Sequence, residues 1–143
     1  MHFNLVDKIL ERSDDPARIV TIKQVTAAEE YLQDHFPSFP VLPGVLMVES
    51  LVQAARALVR DRPETVSTRL VLGGVRALKY GSFVRPGQTL RVEVHLSKAN
   101  PDGSFEFKGE GTVIGAAPTV TGEPPTAVSG RFTLRPVRIP IGA

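Results

Sequence analysis

A single carboxylate, Glu49, interrupts the apolar run Val45 to Val59, whose other polar members are Ser50, Gln53 and Arg56. The run has no proline and no internal glycine, so it reads as a helix. Its apolar residues fall on nearly every face, the pattern of a helix enclosed by the rest of a fold. A carboxylic acid surrounded by apolar neighbours resists ionisation and can give up a proton near neutrality. The structural alternative is an acid that hydrogen-bonds to backbone or to Gln53, one turn later on the same face.

Fourteen residues before Glu49 lies His35, and imidazole is the side chain best suited to moving protons at neutral pH. It opens the segment His35-Phe36-Pro37-Ser38-Phe39-Pro40-Val41-Leu42-Pro43. The prolines fix φ and make a stiff loop, the kind of scaffold that holds a base in place. Pro43-Gly44 then starts the helix, where free N–H groups can stabilise a developing negative charge on a carbonyl oxygen. Asp34 adjoins His35 in sequence, but adjacent side chains on an extended segment point apart, so it is a poor orienting partner. His95 and His2 are expected to face solvent. No phosphate-binding glycine loop, no histidine pair with zinc spacing and no Gly-x-Ser-x-Gly motif is present.

These residues need elements to position them. Leu5 to Glu11 and Arg18 to Val25 have strand composition on either side of the turn-like Ser13-Asp14-Asp15-Pro16. Thr26-Ala27-Ala28-Glu29 has capping-box spacing, which predicts a short helix or helical turn ending by Phe36. Further strands are expected at Arg69 to Tyr80, Thr89 to Ser97, Ser104 to Ile114 and Val128 to Val137, with a long hairpin loop between Gly115 and Gly130. The fold class is α+β: a curved antiparallel sheet of about five or six strands wrapped around one central helix. One sheet cannot cover every face of such a helix, so a second copy of the chain is the expected source of the remaining cover.

With 143 residues the chain has room for one domain, 1–143. Cysteine is absent, and the N-terminus lacks a basic flank followed by an apolar stretch, so a cytoplasmic protein is expected. The net charge of +2 is dispersed, with only a mild basic excess around Arg56 to Arg62 and Arg76 to Arg85. That argues against nucleic acid as a partner, and the longest apolar run is too short and too polar for a membrane span.

The stretch from His35 through Gly44 and Glu49 to Ala55 resembles the active-site signature of β-hydroxyacyl-acyl-carrier-protein dehydratases of the FabZ/FabA type, which have the hot-dog fold. Looser likeness extends to Leu5-Val6-Asp7-Lys8-Ile9-Leu10, to Lys79-Tyr80 and to Arg85-Pro86-Gly87-Gln88. The resemblance implies His35 and Glu49 as the catalytic pair, the Gly44 amide as oxyanion donor and Gln53 as orienter of Glu49. It also implies a homodimer whose active sites take His35 and Glu49 from different protomers, with further assembly to a trimer of dimers as an option. No cofactor is implied. The substrate would be an acyl thioester on acyl carrier protein or coenzyme A.

Three departures from the family pattern bear on that substrate. Ser38 replaces a usual glycine and is followed by bulky Phe39, which narrows or redirects the acyl tunnel. Gly81-Ser82-Phe83 follows Tyr80 where arginine is common, placing Tyr80 and Phe83 at the tunnel gate or carrier contact. The Gly115 to Gly130 loop is the third departure. The competing readings are a coenzyme-A-linked hydratase, a thioesterase, and a non-catalytic hot-dog subunit that binds an acyl chain.

Overall fold

The computed structural model describes residues 3–29, 40–65 and 68–137. Strands β1 (Lys8–Asp14) and β2 (Ala17–Gln24) precede helix α1 (Gly44–Val59), a short 3-10 helix (Pro63–Thr65), and strands β3 (Leu70–Tyr80), β4 (Thr89–Ala99), β5 (Phe105–Ile114) and β6 (Thr126–Pro136). The six strands form one antiparallel sheet in the order β1-β2-β4-β5-β6-β3. The expected helix-wrapping sheet is therefore present. Alternation builds it: Leu90, Val92 and Val94 of β4, and Phe105, Phe107 and Val113 of β5, are buried against Met47, Leu51, Ala54, Ala55 and Leu58 of α1. Phe107 stacks on Phe132 of β6 with ring centroids 5.3 Å apart, joining two neighbouring strands beneath the helix.

Two expectations need correction. Thr26 to Glu29 makes a turn, closed by the Glu29 amide donating to the Thr26 carbonyl at 3.2 Å, and not a capping box. The Glu29 carboxylate accepts instead from Lys23 Nζ at 2.9 Å, while Asp7 lies 3.6 Å from the same ammonium. Lys23 is nearly buried, and a cation withdrawn from water needs such partners more than a chain turn needs a cap. The helix expected to follow this turn lies outside the described residues. The loop after β5 is also shorter than expected, because Thr126 to Gly130 belong to β6. Pro124 and Pro125 end the loop, and the Val113 amide donates to the Pro125 carbonyl at 2.9 Å.

The C-terminal end of α1 is tied to other parts of the chain. Arg12 Nη2 donates to the Leu58 carbonyl at 2.9 Å, and Thr65 Oγ1 donates to the Val59 carbonyl at 2.6 Å. These bonds satisfy carbonyls that a helix terminus otherwise leaves open. β3 is a sheet edge interrupted by two register shifts, between Leu72 and Gly74 and between Arg76 and Lys79. Within the second, Ala77 has φ of 54°, a left-handed conformation uncommon for alanine that marks a local bend. Leu72, Val75 and Leu78 are exposed on this edge.

The outer face of the sheet carries a compact ionic network. Glu93 Oε1 lies 3.0 Å from Arg18 Nη2, and Glu93 Oε2 lies 2.8 Å from His95 Nε2. The hydrogen bond from Arg18, and then that from His95, hold the Glu93 carboxyl at about 2 against an ordinary value of 4.5. His95 faces outward as expected, but it is a member of this network. A carboxyl depressed in the folded chain contributes stability that is present above its unfolded value and is lost as pH falls through its folded value. Urea unfolding followed from pH 6 to pH 2 (about that range) should therefore show stability falling below pH 4.5, and Glu93→Gln should flatten the fall. Equal acid sensitivity in the two proteins would remove Glu93 from the account.

Candidate active site

Pro43 occupies the N-cap of α1 with φ of −59° and ψ of 142°, and no side chain caps the helix. The Leu46 and Met47 amides both return to the Pro43 carbonyl, at 3.0 and 3.1 Å. Among the described residues this leaves the amides of Gly44 and Val45 at the open end, where an anionic oxygen is favoured by the helix dipole. The approach to this end is fixed by the Leu42 amide, which donates to the Val84 carbonyl at 2.8 Å, with Val41, Leu42 and Val84 all buried.

Tyr80, from the end of β3, lies against this helix start. A Cβ added at Gly44 would stand 2.9 Å from Tyr80 Cε1 and Cζ, so glycine is what lets the ring approach. Tyr80 and Phe83 are 53% and 55% exposed, and with Leu42, Met47 and Ala127 they border a small cavity of about 80 Å³. The Gly81 that departs from the family pattern has a local reason. A Cβ there would collide with the Thr126 carbonyl, and the Gly81 and Ser82 amides donate to the Ala127 and Thr126 carbonyls, each at 2.9 Å. From Gly81 and Phe83 an open groove of about 720 Å³ continues past Arg85 and Gln88 to Ala116 and Pro125. The loop after β5 therefore forms one wall of the groove that leads away from Tyr80.

Glu49 lies one turn beyond Val45, on the side of α1 turned away from the sheet. Expected to be enclosed, its side chain is 37% exposed in the single chain, and Val45 on the same side is 72% exposed. The sheet covers Leu51, Ala54, Ala55 and Leu58 instead. Two groups on successive turns approach Glu49 Oε1: Gln53 Nε2 donates to it at 3.3 Å, and Arg56 Nη1 lies 3.6 Å away. Arg56 is a partner that the sequence reading did not assign, although spacing of four and seven residues places 49, 53 and 56 along one stripe of a helix.

Gln53 does more than touch Glu49. Its Oε1 accepts from the Leu5 amide at 2.8 Å and its Nε2 donates to the Phe3 carbonyl at 2.9 Å. The side-chain amide thus pairs with the backbone as a strand would, and it fastens the N-terminal segment across α1 beside buried Leu5. The structure brings Gly44 and Tyr80 together at the helix start and Glu49 and Gln53 together one to two turns later. His35 and Phe39 lie outside the described residues. A separate concavity of about 430 Å³ is lined by Arg91, Glu93, His95, Lys108 and Glu110. It opens on the outer face of the sheet, opposite α1, and its Glu93 is already committed to Arg18 and His95.

The pair of hydrogen bonds made by Gln53 has a measurable consequence. Gln53→Leu strands the Leu5 N–H, at a cost of about 1–3 kcal/mol if that donor is left unsatisfied. The variant should unfold at lower urea, and hydrogen exchange at Leu5 should quicken. Unchanged exchange at Leu5 would mean that the clamp does not hold the segment in solution.

A family profile of ApeI-like dehydratases, described as ApeI dehydratase, matches residues 11–116. The 3-hydroxyacyl-(acyl-carrier-protein) dehydratase FabZ of Lactococcus lactis subsp. cremoris is 37% identical over 131 residues, covering 92% of this chain and 83% of that protein. Among solved structures, the dehydratase heterocomplex ApeI:P of Xenorhabdus doucetiae superposes with a TM-score of 0.61 at 16% identity, covering 90% of this chain and 96% of that one. A thioesterase-superfamily protein of Thermus thermophilus superposes with a TM-score of 0.64 at 17% identity, covering 85% of this chain and 82% of that one. The two superpositions establish the hot-dog fold that both chemistries share, whereas the sequence matches separate them. The chain belongs to the ApeI-like dehydratase family, with FabZ-type dehydratases among its relatives.

Proposed function

We propose that this chain catalyses the reversible dehydration of β-hydroxyacyl thioesters carried on acyl carrier protein, yielding trans-2-enoyl thioesters in fatty-acid or related acyl-chain biosynthesis. The observation that carries the assignment of roles is the placement of Glu49 on the open side of α1, one turn from the free amides at the Gly44 end. A thioester carbonyl received by the Gly44 amide acidifies the neighbouring α-carbon. His35 takes the α-proton, Glu49 in its acid form gives a proton to the β-hydroxyl, and the carbon–oxygen bond breaks to release water. Hydration of the enoyl thioester is the same sequence run backwards, which returns both groups to their starting protonation states. Gln53 orients Glu49, Tyr80 and Phe83 form the gate to the acyl chain, and Phe39 sets its depth.

The working unit in this reading is a homodimer with shared sites. Its support is the surface left uncovered: an exposed β3 edge bearing Leu72, Val75 and Leu78, and an exposed helix side bearing Val45 and Glu49. An apolar sheet edge of this length is a template for pairing with another strand. Further assembly into a trimer of dimers is compatible with the same surface. No helix among the described residues is long and apolar enough to cross a membrane, and a cysteine-free chain suits a reducing cytoplasm.

Turnover is followed by enoyl-thioester absorbance with β-hydroxyacyl substrates of several lengths on acyl carrier protein and on coenzyme A. Glu49→Gln should keep the fold and lower the rate by at least about 100-fold, and His35→Ala should do the same. Full activity in either variant would overturn its role. Sharing of sites has its own test, because each inactive variant still supplies the residue that the other lacks. Mixing equal amounts of H35A and E49Q under exchange should restore about a quarter of the native rate, since half of the dimers are mixed and each has one complete site. No restoration, with exchange verified, would place both residues of a site on one protomer.

A further inference from the structure

Three arginines meet where α1 ends and β3 begins. Arg56 and Arg60 come from the last turn and C-cap of the helix, and Arg69 comes from the residue preceding β3. Together with Thr65 and Thr68 they line a cavity of about 250 Å³ that, among the described residues, no aspartate or glutamate borders. Arg56 is held in place by its Nε, which donates to the Leu70 carbonyl at 3.1 Å. Arg60 and Arg69 are exposed and form no ion pair with a described carboxylate.

The simplest structural explanation, that these cations cap the helix, is already taken. The Leu58 carbonyl accepts from Arg12, and the Val59 carbonyl accepts from Thr65 Oγ1 and from the Arg62 amide. Nearby acids are also committed, with Asp61 3.8 Å from Arg12 and Glu64 3.6 Å from Arg62. Arg56 already has Glu49 Oε1 3.6 Å from its Nη1, which leaves Arg60 and Arg69 as two cations at the void with no described carboxylate, a positive cluster that favours an entering anion. Guanidinium forks match anionic oxygens two at a time, and a tetrahedral anion with three or more oxygens can meet more forks at once than the two oxygens of a carboxylate. The void is smaller than the roughly 300–1,000 Å³ of pockets for drug-sized ligands, and suits a single group with bound water.

We propose that the cavity between the end of α1 and the start of β3 binds a phosphoryl group, through Arg56, Arg60 and Arg69. Two sources share that chemistry: free inorganic phosphate, and the phosphate of a pantetheine-type thioester carrier. Arg56 also lies 3.6 Å from Glu49 Oε1, so this site and the carboxylate share one guanidinium.

Binding is measured without turnover, so the result does not depend on the dehydratase roles assigned above. Inorganic phosphate, pantetheine 4′-phosphate and unphosphorylated pantetheine are titrated calorimetrically into the full chain at low salt. Saturable binding of the two phosphorylated probes, with none by pantetheine, is expected. Arg60→Ala with Arg69→Ala should weaken it by at least about tenfold, and the paired lysine variant should weaken it less. Should the alanine pair misfold by circular dichroism, the glutamine pair gives the same reading with the side-chain bulk kept. Tighter binding of pantetheine 4′-phosphate than of phosphate identifies the carrier as the source, and equal binding identifies free phosphate. Absence of saturable binding by either phosphorylated probe, or affinity unaltered in the folded double variant, overturns the proposal.

Discussion

An apolar helix of sixteen residues packed against one sheet has a side left over, and Glu49 is on it. That geometric constraint organises the rest of the molecule. The sheet buries Leu51, Ala54, Ala55 and Leu58, and the burial of such side chains, about 1.5–3 kcal/mol for each large one, anchors α1 firmly enough to fix what its opposite side presents. The same division separates structural work from chemical work. Residues facing the sheet are apolar apart from Ser50, whose hydroxyl donates to the Leu46 carbonyl, whereas Glu49, Gln53 and Arg56 form a polar stripe on the other side.

The stripe is built so that each member has a second duty. Gln53 orients toward Glu49 while holding Phe3 and Leu5. Arg56 approaches Glu49 while its Nε holds the Leu70 carbonyl at the start of β3. The carboxylate is thereby connected, through two side chains, to the N-terminal segment and to the edge strand. At the other end of the helix, Gly44 and Tyr80 are matched in shape, so the backbone amides of the first turn and the aromatic ring occupy one small space.

Much of this was legible in the sequence, for reasons that particular residues make plain. The alternation of Leu90-Arg91-Val92-Glu93-Val94-His95 admits one strand and one inward face, and the structure has both. The helix start at Gly44 and its end at Val59 follow from proline on one side and the polar connection on the other. What could not be read were contacts set by the assembled fold. Thr26 and Glu29 had the spacing of a capping box, but Lys23 lies where only the folded sheet could place a nearly buried ammonium beside Glu29. Gln53 pairs with Leu5 across 48 residues of chain, a separation over which local pattern carries no information. Alternation also could not say which strand would be an edge, so the exposure of Leu72, Val75 and Leu78 was invisible. The partial exposure of Glu49 had the same cause, because hydropathy counts apolar neighbours along the chain and not what covers them.

The ties that α1 makes near its C-terminal end and through Gln53 also bear on how the chain reaches this state. Arg12 closes the Leu58 carbonyl from 46 residues away, and Gln53 reaches Phe3 across 50. Neither bond can form until the first hairpin and the helix have met, so the helix gains its last stabilising partners only after long loops have closed. Contacts of high sequence separation slow folding, because the entropy of closure is lost before the contact repays it. Until the sheet has closed over it and these ties have formed, the apolar surface of α1 is open to misassociation.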